Sequence, residues 1–259
     1  MQVLRAIFSP LYSLWAAGWF ILFLLTVLPV ALFYKLFFPR TADTRFFNYG
    51  AGWARFWMRI CGIRYRIHNR DSCYHSGRSY VICSNHVSLL DVFCSTIPLR
   101  SPVRVLAKKE IKRIPLLGTA FAMVSVFVDR NSPESRRRSF EKLSSDLRSG
   151  THSIFMYPEG TRNRSRKPLR DFYDGAFRLA VQAGVPVCAF VAVHPRTVFD
   201  PKGIFFKPGG KIDIWFLPPY ETAALSEADV PALKEQVRND MWNLLAEKDP
   251  YFAGAGKRS

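Results

Sequence analysis

The chain has 259 residues, 49% of them hydrophobic, and sets 37 Lys and Arg against 20 Asp and Glu for a formal net charge of +17. That length suits one domain of moderate size with an appended segment, and a charge so far from zero serves a polyanion, an anionic surface or general solubility. The five cysteines, Cys61, Cys73, Cys83, Cys94 and Cys188, are odd in number and form no Cys-x2-Cys pair, which argues against a disulfide framework and a metal site and predicts reduced thiols in a cytosolic setting.

Between Arg5 and Lys35 no side chain is charged, and Trp15 to Leu28 is apolar but for Thr26. A bilayer core of about 30 Å is crossed by about 20 residues of helix, so this run is long enough to span. It is too long and too aromatic for a cleaved signal and reaches Pro29 and Lys35 without a small-x-small site. Lys35, Arg40 and Arg45 outweigh Arg5 and the terminal amine, which places the following residues in the cytoplasm. After a turn at 39–43, Phe46, Tyr49, Trp53, Phe56, Trp57 and Ile60 share one helical face, with Arg45, Arg55 and Arg59 away from its centre. Such a stripe is usually core. Directly after a membrane segment it also suits an interfacial helix whose arginines meet lipid phosphates, and that context favours the interface. Residues 1–60 are therefore expected to form a helical membrane anchor, either a span or a hairpin embedded from one side.

Strands and helices then alternate. Strands are predicted at 63–67, 80–83, 103–107, 124–128, 153–157, 187–193 and 211–216, the last stopped by Pro218-Pro219. Helices are predicted at 89–97, 115–122, 133–149, 176–183 and 229–247, and 251–259 reads as a frayed tail. This order implies an α/β domain over 61–250, its largely parallel sheet flanked by helices. In such sheets ligands bind outside the carboxyl ends of the strands.

Two polar stretches fall at such ends. The first, Ser84-Asn85-His86-Val87-Ser88-Leu89-Leu90-Asp91, follows the apolar run Tyr80 to Cys83 and opens a helix. Ser88 and Asp91 have capping-box spacing, which directs the Asp91 carboxylate back toward His86. A carboxylate on one ring nitrogen fixes the tautomer and leaves the other nitrogen as a base, here with no serine nucleophile of its own. On this stretch alone, a satisfied loop histidine beside a helix N-terminal charge explains the residues equally well. The second stretch, Pro158-Glu159-Gly160-Thr161-Arg162-Asn163-Arg164-Ser165, follows the strand ending at Tyr157.

Together these residues resemble the glycerolipid acyltransferase family, of the 1-acyl-sn-glycerol-3-phosphate acyltransferase type. His86 and Asp91 match its His-x4-Asp motif and Glu159-Gly160-Thr161-Arg162 its Glu-Gly-Thr-Arg motif. Lys108-Lys109-Glu110 with Ile114 to Gly118, then Phe127-Val128-Asp129-Arg130, lie between them, and Gly184-Val185-Pro186-Val187 follows, all in the family's order. The match covers about residues 80 to 195 and departs from the family at Val124-Ser125, where a glycine is expected.

The resemblance implies acyl transfer from a thioester, acyl-CoA or acyl carrier protein, to the sn-2 hydroxyl of 1-acylglycerol 3-phosphate, giving phosphatidic acid for phospholipid synthesis. His86 would be the base and Asp91 its orienter. Lys108, Glu159, Gly160, Thr161 and Arg162 would bind the substrate phosphate, with Arg130 and Lys109 as further candidates; Arg162 can hold phosphate with two parallel hydrogen bonds. Arg136-Arg137-Arg138 reads instead as a solvated helix face. No metal or organic cofactor is implied. The expected partners are a membrane lipid, the acyl donor and an anionic membrane surface, and no aromatic-basic nucleic-acid signature occurs in 80–195. Two alternatives stay open: the same chemistry on a lysolipid with an amine or amino-acid head group, and a basic membrane-binding protein without catalysis.

Overall fold

The computed structural model describes residues 2–75, 77–88, 90–129, 131–199, 206–207, 209–256 and 258, with backbone alone at 2–7 and 120. In chain order the elements are α1 (Gln2–Phe37), α2 (Ala42–Ile60), β1 (Arg64–His68), α3 (Arg70–Cys73), β2 (Val81–Ser84), α4 (Asp91–Thr96), β3 (Val103–Lys108), α5 (Leu117–Val124), β4 (Ser125–Val128), α6 (Pro133–Arg148), β5 (Ser153–Met156), α7 (Gly175–Ala183), β6 (Val187–Val193), α8 (Pro195–Val198), β7 (Lys211–Phe216) and α9 (Val230–Lys248).

The strands form one sheet in the order β1-β7-β6-β2-β5-β3-β4. The five strands from β6 to β4 run parallel. β7 returns antiparallel to β6, and β1 pairs parallel to β7, so the edge pair runs opposite to the rest. Every residue of β2 and β6 is buried, because central parallel strands are covered on both faces and therefore read as continuous apolar runs. At the edge, β1 keeps its Arg64 and Arg66 side chains exposed, charges that discourage further strand pairing. Ile82, Phe155 and Phe190 face a core shared with Trp57, Met58 and Leu90. The alternate residues Val81, Ile154 and Ala189 face a second core with α7 and α9.

The expected fold class is the one observed, and α1 is a candidate membrane anchor. Its Phe8–Phe37 portion is long and apolar enough to cross a membrane by length and composition. α1 and α2 form an antiparallel hairpin: Trp57 Nε1 donates to the Ala16 carbonyl at 2.9 Å, the Tyr12 hydroxyl to that of Cys61 at 2.5 Å, and the Trp19 and Phe56 rings lie 5.3 Å apart. Of the aromatic stripe of α2, Phe46 and Trp57 are covered by protein, Tyr49, Trp53 and Ile60 are half-buried, and Phe56 is 42% exposed. Trp57 is 2% exposed and stacks on Phe93 of α4 at 4.5 Å. The outward apolar face belongs to α1, where Leu14 and Leu36 are 70% and 75% exposed.

The chain end also differs from the frayed tail expected. Trp242 Nε1 donates to Gly256 O at 3.0 Å, Asn243 exchanges two hydrogen bonds with the Arg258 backbone, and Phe252 is buried. Ser125, at the departure from the family pattern, has φ −126° and ψ 150°, an extended conformation open to any residue. All five cysteines are free and buried, and burial pushes the Cys83 thiol up to about 12.

Candidate active site

Both polar stretches leave neighbouring central strands at the carboxyl end of the sheet, β2 leading into Asn85-His86 and β5 into Tyr157 to Arg162. His86 Nδ1 and Asp91 Oδ2 are 2.7 Å apart. The same oxygen accepts the amides of Val87 at 2.6 Å and Ser88 at 2.8 Å. The anticipated capping contact is half realised: Asp91 caps the Ser88 amide, while Ser88 Oγ accepts from Leu90 N at 3.2 Å, because helical turns begin only at Asp91. Asp91 is 2% exposed, so its position is set by these three donors. The His86 side chain is 22% exposed, and its Nε2 has no partner among the described residues.

Glu159 ties the two loops together. Its Oε1 accepts the His86 amide at 2.8 Å and its Oε2 the Arg170 amide at 2.8 Å. At 1% exposure this carboxyl pays heavily in lost hydration, which pushes its pKa up to about 7; the two amides pull it down, and Asp91 adds a smaller upward push. Gly160 takes φ +67°, a left-handed conformation, and a Cβ there would meet Tyr173 Cε2 at 2.8 Å. A glycine at this turn therefore admits both the backbone angle and the Tyr173 ring.

Thr161 is exposed at the turn. Arg162 is half-buried and Lys108 is exposed at the carboxyl end of β3; neither side chain makes a hydrogen bond or ion pair with a described residue. Lys109, by contrast, is held by Asp129, and Arg130 lies outside the described residues. Arg137 and Arg138 pair with Glu141 and Glu134 one turn away, as on a solvated helix.

Three further residues belong to the constellation. The Tyr157 ring stacks on His86 with centroids 4.0 Å apart, and its hydroxyl donates to Asp91 O at 3.0 Å. Burial first, then the nearby Asp91 charge, holds that phenol neutral by raising its pKa well above the usual range. Asn85 clasps β6 through both amide atoms, donating to Ala192 O at 3.0 Å and accepting from Ala192 N at 2.8 Å. Asn163, fully buried, donates its amide to His86 O at 2.6 Å. The only sequence signal for these was adjacency to the motifs, since a buried asparagine and an exposed one look alike in a one-dimensional pattern.

Such an arrangement can act as a base at Nε2 and stabilise the imidazolium that results, because Nδ1 faces a carboxylate and the ring face meets an aromatic. Arg162, next in sequence to the buried Asn163, has no side-chain hydrogen bond or ion pair among the described residues.

A family model described as Acyltransferase matches residues 64–193. An uncharacterized acyltransferase of Schizosaccharomyces pombe is 33% identical over 195 residues, covering 74% of this chain and 69% of the relative. Mouse 1-acyl-sn-glycerol-3-phosphate acyltransferase alpha is 30% identical over 198 residues, covering 76% and 69% respectively. The crystal structure of the 1-acyl-sn-glycerophosphate acyltransferase PlsC from Thermotoga maritima superimposes with a TM-score of 0.78 over 98% of this chain and 100% of that one, at 20% identity, a likeness of fold. On the matched domain and these relatives, the chain belongs to the acyltransferase family.

Proposed function

We propose that this enzyme moves a fatty acyl group from acyl-CoA or acyl carrier protein to the sn-2 hydroxyl of 1-acylglycerol 3-phosphate, yielding phosphatidic acid. The observation that carries the reading is the 2.7 Å contact of His86 Nδ1 with Asp91, which leaves Nε2 as the basic nitrogen at the carboxyl end of the parallel strands. Nε2 takes the hydroxyl proton as the acceptor oxygen attacks the thioester carbonyl. The tetrahedral intermediate collapses, the carbon–sulfur bond breaks, and the imidazolium returns the proton to the departing thiolate. No covalent acyl-enzyme is needed, and the reading asks for no metal or organic cofactor.

Arg162 and Lys108 are assigned to the acceptor phosphate, because their charges are uncommitted to any described carboxylate. Glu159 has both oxygens on backbone amides and is assigned the role of brace between the motifs. The names of the relatives, 1-acyl-sn-glycerol-3-phosphate acyltransferases in mouse and human, support the acceptor. The exposed apolar face of α1 supports access to a membrane-resident lipid, with the α/β domain on the cytoplasmic side.

The test is a panel of lysolipids offered with both thioester donors to the wild type, Arg162→Lys and Lys108→Ala. Turnover of lysophosphatidic acid with its KM raised about tenfold or more in Arg162→Lys supports the assignment, since lysine cannot reproduce the bidentate contact. Equal, small effects on phosphate-headed and amine-headed acceptors would overturn it.

A further inference from the structure

We propose that Arg196 is a positioning residue through which the C-terminal turn at 250–252 sets the Arg162-Asn163 strap against His86. β6 ends at Val193 at the same end of the sheet as the active site, and α8 follows at once. From α8, Arg196 Nη2 donates to the Asn163 carbonyl at 2.9 Å. Its guanidinium lies over the rings of Tyr251, at 4.9 Å, and Phe252, at 5.4 Å. Its Nε is buried and has no hydrogen-bond partner among the described residues, so the rings are what that part of the fork meets.

Asn163 is held from three directions. Its amide donates to His86 O at 2.6 Å. Its side chain closes its own loop, donating to Lys167 O at 2.9 Å and Pro168 O at 3.2 Å and accepting from Ser165 N and Oγ. The bond from Arg196 brings in the part of the fold farthest along the chain. Behind Arg196, Asp249 is 4% exposed and accepts from Tyr251 N at 3.1 Å and His194 N at 3.3 Å, so it fastens the turn to the β6–α8 corner.

The consequence falls on Arg162. It is one peptide unit from a residue with no exposed surface, so where its guanidinium can reach is fixed by how firmly Asn163 is seated. Loss of the Arg196 bond frees the Asn163 carbonyl and lets the strap tilt away from His86. The phosphate site should loosen more than the base, whose Asp91 contact is independent of the strap.

This inference rests on the acceptor reading above, and its test separates the two. Full-length wild type, Arg196→Met, Arg196→Lys and Tyr251→Leu would be compared in detergent micelles by steady-state kinetics with lysophosphatidic acid, by thermal unfolding, and by hydrogen exchange of the peptides spanning 160–168. Methionine keeps an apolar stem beneath the rings and removes every donor. Arg196→Met should raise the acceptor KM about tenfold, the scale of a lost charge-assisted hydrogen bond, with the donor KM little changed and exchange in 160–168 accelerated about as much. Arg196→Lys should fall between it and wild type, and Tyr251→Leu should move the same quantities less. A lower unfolding temperature and lower active fraction with unchanged KM and unchanged exchange in 160–168 would overturn the proposal. Wild type inactive on lysophosphatidic acid would refute the acceptor reading instead, and exchange in Arg196→Met would then decide the proposal alone: acceleration sustains it and its absence ends it.

Discussion

His86 is the residue proposed as the base, and two neighbours remove its freedom: Asp91 holds Nδ1 at 2.7 Å and the Tyr157 ring stacks on the imidazole. General-base action is worth about 10²–10⁴-fold, so His86→Ala should lose turnover on that scale while retaining the wild-type unfolding temperature within a few degrees. Asp91→Asn is a subtler change. All three donors meet Oδ2, and Oδ1 has no partner, so an amide oxygen in the place of Oδ2 keeps the geometry and loses the charge that stabilises the imidazolium. Its rate should lie between wild type and His86→Ala; a well-folded His86→Ala enzyme with near-normal turnover would remove the base assignment. Glu159 makes a separate prediction about pH. Burial raises its folded-state pKa from the ordinary 4.5 to about 7, so the folded state binds its proton more tightly than the unfolded chain does. The contribution to stability is therefore fully present below pH 4.5 and is lost as pH rises to about 7, amounting to about 3 kcal/mol at 1.36 kcal/mol per unit. Glu159→Gln has nothing to titrate, so unfolding of wild type minus variant, followed in detergent from pH 4.5 to 8, should decline across that window. A flat difference would mean that the two amides outweigh burial.

At the scale of elements, the Glu-Gly-Thr-Arg turn shows what a glycine does when a motif fixes it. Gly160→Ala must hold a methyl group at φ +67° and displace the Tyr173 ring. The first effect costs about 1–2 kcal/mol wherever the ring goes. The ring itself is 71% exposed and can swing away. Pairing Gly160→Ala with Tyr173→Ala in a double-mutant cycle on thermal stability should recover the steric part and leave the backbone part, and full recovery would show that the angle is unimportant. All seven strands were legible, six from largely apolar runs and the one at 63–67 from its apolar/basic alternation, and His86, Asp91 and Glu159 from motifs that fall at strand ends. The reversed edge pair was not legible. Lys211 to Ile214 alternates polar with apolar residues, a pattern commoner in antiparallel strands, but the same alternation in β1, which pairs parallel to β7, shows that it records burial on one face and does not fix direction. α8 at Pro195–Val198 was missed for another reason: four residues are too few for a helical period to register.

Across the whole molecule, the candidate anchor and the α/β domain share one core, and this changes how membrane attachment has to be tested. The sequence separates an apolar N-terminal segment from an α/β region, yet Trp57 and Met58 of α2 pack with Ile82, Phe155 and Phe190 of the sheet. Side chains at i and i+4 announce that a helix has an apolar face without saying what will cover it, and on α2 Trp57 is covered by protein while Phe56 stays exposed. Deleting residues 1–60 would strip that core and report on folding instead of attachment, because removing buried rings of the size of Trp57 costs about 3–5 kcal/mol each. The discriminating change is on the outward face of α1. Leu14, Ile21, Leu25 and Leu32 are 70%, 55%, 56% and 58% exposed, so their replacement by glutamate leaves the packed face of the hairpin intact. A charge at the membrane midplane costs about 2.5–3.5 kcal/mol on insertion scales, and four of them should abolish residence in a bilayer. Co-sedimentation with zwitterionic vesicles should fall to background, turnover of a lysolipid embedded in vesicles should fall with it, and turnover of the same lysolipid dispersed in detergent should persist. If the quadruple variant still pelleted with neutral vesicles, the outward face of α1 would not be the attachment surface. Pelleting only with anionic vesicles would instead assign attachment to the basic surface of the α/β domain, consistent with the net charge of +17.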